Sequence, residues 1–224
     1  MVKKPEKEDW NFKRELARKF VHFLSIFILL IYFIASDFFN QRIALFILVL
    51  ILIIFLEFEY LRIEIGKNIP ILNNIWKYLR RKKEKDKLGG DIYFLIGAIL
   101  VLSIFDIRIA MAAILMTTFG DLSAALIGQR FGYHPLGFMK DRAWEGIIAE
   151  FVVDVLIGFF VFFWGFWNNL NFLTNFEVWV IIGVMSITAT FVETIIYKLD
   201  DNLIIPVFSG FAGQMTLLLY RFIF

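Results

Sequence analysis

Seven long apolar runs, separated by shorter polar or charged segments, most constrain what this 224-residue chain can fold into. A helix that spans a bilayer needs about 20 mainly apolar residues. Runs that approach this length lie at residues 20–36, 43–60, 91–106, 109–128, 145–167, 178–197 and 203–222. Hydrophobic residues make up 60% of the chain, which is more than the core of a soluble protein of this size can bury. The sequence therefore predicts an all-α, polytopic integral membrane protein with about seven transmembrane helices.

The first apolar run follows a charged leader and has no clear small-x-small cleavage site, so we expect a retained helix, with a cleaved signal peptide as the alternative. The third run, Ile92 to Phe105, is the shortest. We expect a basic cytoplasmic leader at 1–19 and a single transmembrane catalytic domain at 20–224. A basic loop at about 62–90 interrupts that domain.

The distribution of basic residues predicts the orientation. With a cytoplasmic N-terminus, 20 of the 23 Lys and Arg residues fall on the cytoplasmic side, and Arg42, Arg108 and Arg221 fall on the other. Lys and Arg favour the cytoplasmic side in short loops, so we expect the N-terminus there. A net charge of only +2 gives no indication of a nucleic-acid partner, and the lack of cysteine excludes disulfides and thiolate chemistry.

In this orientation four polar segments share the cytoplasmic side, which predicts that any chemistry faces the cytoplasm. They are "RELARKFVH" (14–22), "LEFEYLR" (56–62), "FGDLSAALIGQRFGYHPLGFMKDRAWEG" (119–146) and "KLDDNLIIP" (198–206).

Acidic residues inside the apolar runs are functional candidates. Placing an ionised carboxylate there costs at least ~2.5 kcal/mol by insertion scales, unless it is paired, bound to a metal ion or in a water-filled cavity. Asp121 lies more than half way along the fourth helix, where Gly120, Ala124 and Gly128 favour close packing of a neighbouring helix. Glu150 and Asp154 share one face of the fifth helix, and structural and functional roles are equally open for them. Glu193 and Glu57 are weaker candidates, near helix ends.

Two loops carry residues suited to phosphates and metal ions. In "GQRFGYHPLG" the glycines and Arg130 can cradle a phosphate, although Gly and Pro mark any turn, and His134 is interpreted as a loop residue. Asp200 and Asp201 offer oxygen ligands that suit Mg²⁺ together with substrate phosphates. Asn202 either caps the following helix or adds a ligand, and Pro206 is expected in the first turn of that helix.

The order of five motifs resembles the CTP-dependent polyprenol and lipid kinases, a family that includes dolichol kinase, phytol kinase and the fungal diacylglycerol kinase. The motifs are "RELARKFVH", "LEFEYLR", "GDLSAALIGQRFG", "KDRAWEG" and "VETIIYKLDDNLIIP", which extend over nearly the whole chain. The family belongs to a superfamily that also holds phosphatidate cytidylyltransferases. Asp141 departs from the pattern, because kinases of this kind often have Ser or Thr after the lysine.

The resemblance implies transfer of the terminal phosphate of CTP to the hydroxyl of a membrane alcohol. The alcohol would be an isoprenoid such as dolichol, phytol or geranylgeraniol, or a diacylglycerol-like lipid. As metal ligands for Mg²⁺ we expect Asp121, Asp200 and Asp201, one of which accepts the alcohol proton, with Glu145 as a further catalytic residue. Phosphate or nucleotide contacts are expected from Arg18, Lys19, His22, Gly128, Arg130, Gly132, Lys140, Arg142 and Asn202.

Two alternatives stay open. A CTP:lipid-phosphate cytidylyltransferase shares the Lys140, Glu145 and Gly146 pattern, but this chain lacks the closing signature of those enzymes. An ion-coupled transporter is the remote alternative, and the clustering of polar residues on one side disfavours it. We expect an integral protein of the cell membrane, or of the endoplasmic reticulum in a eukaryote, and leave a homodimer open.

Overall fold

The computed structural model describes residues 24–64, 88–136, 139–164, 175–196 and 199–223. Within these ranges the chain forms seven α-helices and one short β-hairpin. In chain order they are α1 (Leu24–Phe38), α2 (Gln41–Glu64), α3 (Gly90–Ile104), α4 (Ile107–Phe131), β1 (Pro135–Leu136), β2 (Met139–Ala143), α5 (Trp144–Phe159), α6 (Asn175–Ile195) and α7 (Asp201–Ile223). A π-helical turn, Phe160–Trp164, continues α5.

Each of the seven predicted apolar runs overlaps one of these helices, which confirms the all-α polytopic class. By length and composition α2, α4, α6, α7 and α5 together with its π-helical turn are long and apolar enough to cross a membrane, whereas the apolar helices α1 and α3 are shorter. The antiparallel pair β1–β2 is an addition to the predicted architecture, because residues 135–143 read as loop from the sequence.

α4 and α7 occupy the middle of the bundle. α4 contacts α5, α6 and α7, and α7 also contacts α3 and α6, while α1 and α2 pack together at one side. One apolar cluster takes residues from each of the first four helices, among them Leu48, Ala98 and Ile114. A second cluster surrounds Met116 and Met185. Large apolar side chains point outward along the helices, as expected for a lipid-facing surface.

The alternating helix directions bring one set of helix ends together. Glu59 near the end of α2 accepts a hydrogen bond from the Gly89 N–H just before α3. Arg142, just before α5, contacts Glu193 near the end of α6 and Asp201 at the start of α7. Parts of three of the polar segments that the sequence predicted on one side, 56–62, 119–146 and 198–206, therefore meet at one end of the bundle, and the fourth, 14–22, lies outside the described residues.

Candidate active site

Close packing of α4 against α5 sets the position of the site. A Cβ added at Gly146 would lie 2.9 Å from the Ala124 carbonyl oxygen and 3.2 Å from the Gly128 Cα. A Cβ added at Gly120 would lie 3.3 Å from Cγ of both Glu150 and Asp154. Small residues permit such approaches, so the packing interpretation of this α4 face is confirmed. The predicted phosphate contact of Gly128 stays a prediction.

The start of α7 differs from the sequence prediction in its capping residue. Asp200, and not Asn202, caps the helix: its Oδ1 accepts a hydrogen bond from the Asn202 N–H at 3.1 Å. Because α7 begins at Asp201, Pro206 lies inside the helix beyond its first turn. Both corrections have one cause, which is that α7 begins two residues earlier than its apolar run.

Asn202 points towards the start of α3. A Cβ added at Gly90 would lie 2.6 Å from Asn202 Nδ2 and 3.9 Å from Asp200 Oδ1, so a larger residue at position 90 would displace the Asn202 side chain. The Pro206 ring lacks an N–H for the Asn202 carbonyl, and that carbonyl oxygen lies 3.0 Å from a Cβ added at Gly97. α3 thus packs directly against the first turns of α7.

Arg142 joins three elements at this end of the bundle. Its Nη1 donates to Glu193 Oε1 at 2.9 Å, and its Nη2 lies 3.9 Å from Asp201 Oδ2. Asp201 also lies close enough to Asp121 and Asp200 for their charges to act on it. The structure therefore brings together four of the predicted site residues from α4, β2 and α7.

Two further acids lie deeper in the same cluster. Glu150 is 1% exposed and Asp154 is fully buried, and both side chains pack against Gly120, the neighbour of Asp121 in α4. One turn beyond Asp154, Gly158 packs against Ile182 and closes the polar region. The sequence left their role open. The signal that could have added them to the site is two acids at i, i+4 within an apolar run, because intramembrane carboxylates are rare and mostly functional.

Glu145, in the first turn of α5, contacts the residues that follow α4. Its Oε1 accepts hydrogen bonds from the Tyr133 and His134 backbone N–H groups, each at 3.2 Å, and lies 2.7 Å from His134 Nδ1. These contacts hold the turn that precedes β1. The partnership with His134 had no signal in the sequence, and the predicted catalytic part of Glu145 stays a prediction.

The other predicted phosphate-binding residues are dispersed or lie outside the described residues. Arg130 is exposed at the end of α4, with its guanidinium 5.4 Å from the centroid of the Phe131 ring. Gly132 is the C-terminal cap of α4, and its N–H donates to the Gly128 carbonyl at 3.0 Å. Arg18, Lys19 and His22 lie outside the described residues, as does the side chain of Lys140 in β2.

The donor set fits a hard divalent cation that a substrate also ligates. Within the described part of the chain, buried carboxylate oxygens without a hydrogen-bond partner include Asp201 Oδ1, Glu150 Oε2 and both oxygens of Asp154. No group of three or more His, Asp or Glu side chains in those ranges is arranged to hold a metal ion by itself. Mg²⁺ commonly takes one or two carboxylates together with substrate phosphates, which is compatible with this arrangement.

Glu59 in "LEFEYLR" is a buried acid that the sequence did not mark out from its neighbours. It is 3% exposed, and its Oε1 accepts hydrogen bonds from Gly89 N–H at 3.1 Å and from Arg62 Nη2 at 2.7 Å. The contact with Gly89 joins the two ends of the basic loop and fixes the start of α3 beside Asn202.

Sequence comparison shows which known proteins this chain is similar to. The chain is 26% identical to CTP-dependent diacylglycerol kinase 1 of Schizosaccharomyces pombe over 62% of its length, and 25% identical to the protein of that name in Saccharomyces cerevisiae over 90%. It is also 25% identical to phytol kinase 1 of Arabidopsis thaliana over 69% of its length. These relatives are the kind of lipid kinase that the order of the sequence motifs resembles.

This chain matches only part of the length of each of these kinases. It covers 66% of the S. pombe kinase, 73% of the S. cerevisiae kinase and 51% of the Arabidopsis kinase. An uncharacterised protein of Methanocaldococcus jannaschii is 30% identical over 88% of this chain and is itself 92% covered. Neither a protein-family model nor a solved structure matches the chain.

Proposed function

We propose that this chain transfers the terminal phosphate of CTP to the hydroxyl of a membrane lipid alcohol, giving a lipid monophosphate and CDP. The observation that carries the proposal is the meeting of Arg142 and Asp201 beside Asp121 and Asp200, in a chain similar to CTP-dependent lipid kinases. The alcohol is a diacylglycerol-like lipid or an isoprenoid such as phytol, geranylgeraniol or dolichol.

The arrangement suits phosphoryl transfer, which depends on positioning and charge stabilisation more than on covalent help from the protein. The guanidinium of Arg142 offers N–H donors that match phosphate oxygens. Asp121, Asp200 and Asp201 would hold Mg²⁺ together with the phosphates, and one of these carboxylates would accept the proton of the alcohol. The metal ion would neutralise charge on the phosphates.

The position of the site also suits a substrate dissolved in the bilayer. Arg142, Asp200 and Asp201 lie at the ends of apolar helices, which suits the level at which a lipid hydroxyl meets water. The tail of the alcohol would then stay among the apolar outer faces of the helices. We place this end of the bundle at the cytoplasmic face, because the basic residues of the chain concentrate in the segments on that side.

The proposal is tested with purified protein in mixed lipid micelles, Mg²⁺ and CTP labelled on its terminal phosphate. The triple variant Asp121→Ala, Asp200→Ala, Asp201→Ala is compared with Asp37→Asn, an acid exposed at the far end of α1. We expect labelled lipid from the wild type and the Asp37 variant and none from the triple variant. Undiminished transfer by a folded triple variant would refute the site assignment.

A further inference from the structure

Glu193 is a buried carboxylate that neither the predicted site nor the proposed chemistry uses. It lies in the last turn of α6, is 5% exposed, and accepts the hydrogen bond from Arg142 Nη1 at 2.9 Å. The side chain of Arg142 is 28% exposed, which makes Arg142 the member of this pair that a ligand can reach. Glu193 lies behind it, on the interior side.

The planar guanidinium of Arg142 has its orientation set by the contact with Glu193. A guanidinium is a planar fork of five N–H donors, so fixing one of its nitrogens also fixes where the other donors point. Nη1 of Arg142 is held by Glu193, while Nη2 lies 3.9 Å from Asp201 Oδ2. The second arm of the fork is thus directed towards the start of α7, where the phosphates are proposed to bind.

We propose that Glu193 is a positioning residue for nucleotide binding. Its buried carboxylate holds the Arg142 guanidinium beside Asp201, so that the free N–H groups meet the phosphates of CTP in the correct orientation. Glu193 itself touches neither the nucleotide nor the alcohol. This inference rests on the proposed function, because it assigns the orientation of Arg142 within that site.

The location of Arg142 explains why it needs such an anchor. Arg142 lies in β2, in a short hairpin that crosses the end of the bundle, and its long side chain has many rotamers of similar energy. A buried partner on α6 removes that freedom before the ligand arrives, which lowers the entropic cost of binding. Glu193 is supplied by a separate transmembrane helix and therefore ties the hairpin to the helical scaffold.

The test is a double-mutant cycle read out as equilibrium CTP binding. Purified protein in lipid micelles is titrated with labelled CTP and Mg²⁺ for the wild type, Glu193→Ala, Arg142→Ala and the double variant. Because charge-assisted hydrogen bonds are involved, we expect each single variant to weaken CTP binding by about 10-fold or more. The double variant should bind within about 2-fold of Arg142→Ala, since neighbours that act through one another are not additive.

Two further variants separate positioning from a loss of folding. Glu193→Gln keeps an acceptor oxygen and should weaken CTP binding less than Glu193→Ala does. Glu177→Gln changes an acid at the opposite end of α6 and should leave CTP binding unchanged. In turnover assays Glu193→Ala should raise the KM for CTP, with kcat reduced less and the KM for the lipid alcohol unchanged.

Each other outcome contradicts a specific part of the inference. Additive effects in the double variant would show that Glu193 acts independently of Arg142, and a loss of kcat alone would give it a direct catalytic role. CTP binding without phosphate transfer by the wild type would refute the proposed function, while the double-mutant cycle would still test the role of Glu193 in CTP binding. No CTP binding by the wild type would refute both.

Discussion

Gly146→Ala tests the helix contact on which the site depends. An added Cβ would lie 2.9 Å from the Ala124 carbonyl oxygen and 3.2 Å from Gly128 Cα. Carbon atoms are best separated by about 3.5–4.0 Å, and both neighbours belong to the backbone of α4, so the helices themselves must move apart. Overpacking of this kind costs about 1–3 kcal/mol. The expected result is a less stable protein in which the hairpin carrying Arg142 is displaced from α7.

A matched control variant separates the packing effect of Gly146→Ala from the effect of alanine on helix stability. Replacing a helical glycine by alanine also favours the helix by about 1 kcal/mol. Gly183 lies within α6, and a Cβ added there meets nothing within 4 Å, so Gly183→Ala has the helix effect without the packing effect. The difference between the two variants should therefore equal the packing cost, about 1–3 kcal/mol in the free energy of unfolding.

The assay is reversible unfolding by SDS in mixed micelles, followed by circular dichroism, with lipid phosphorylation measured on the same preparations. We expect Gly183→Ala to equal or exceed the wild type in stability, and Gly146→Ala to fall below Gly183→Ala and to lose activity. Equal unfolding free energies for the two variants would refute the inference that α4 and α5 touch through their backbones at this point.

Three further predictions concern single carboxylates. Asp201→Asn should lower lipid phosphorylation by about 100-fold or more, as loss of one charge-stabilising group does in other active sites, while Asp37→Asn stays active; equal activities would contradict the assignment. Glu59→Ala should lower the free energy of unfolding by about 1–3 kcal/mol, because the buried Gly89 N–H loses its acceptor, and Glu59→Gln should lower it less; SDS unfolding measures both. Glu145→Ala should speed hydrogen exchange in the turn that precedes β1, measured by mass spectrometry, and unchanged exchange would contradict a holding role.

The helices could be predicted from the sequence because the required length of an apolar span is a strong and local signal. The end of a helix is a weaker signal. Asp200 and Asn202 are both good capping residues, and only the actual start of α7 decides that Asp200 caps it. The β-hairpin escaped prediction because β1 has two residues and β2 has five, too few for a periodic pattern.

Single site residues could be predicted from the sequence, but contacts between residues far apart in the sequence could not. Asp121, Asp200 and Asp201 could be singled out individually, because acids within or beside apolar runs are rare. The pairing of Arg142 with Glu193 joins residues 51 positions apart on different elements, so no local pattern predicts it. The depth of Asp154 between α4 and α5 likewise depends on tertiary packing.

The most direct test of the central claim follows two labels in CTP, one on its terminal phosphate and one on its α-phosphate. Purified protein in lipid micelles with Mg²⁺ is offered membrane alcohols in one reaction and the corresponding lipid phosphates in another. A kinase places the terminal label in the lipid product of the alcohol and leaves the α-label in CDP, which is the predicted result. Appearance of the α-label in lipid, with the terminal label released as pyrophosphate, would identify a cytidylyltransferase and contradict the account.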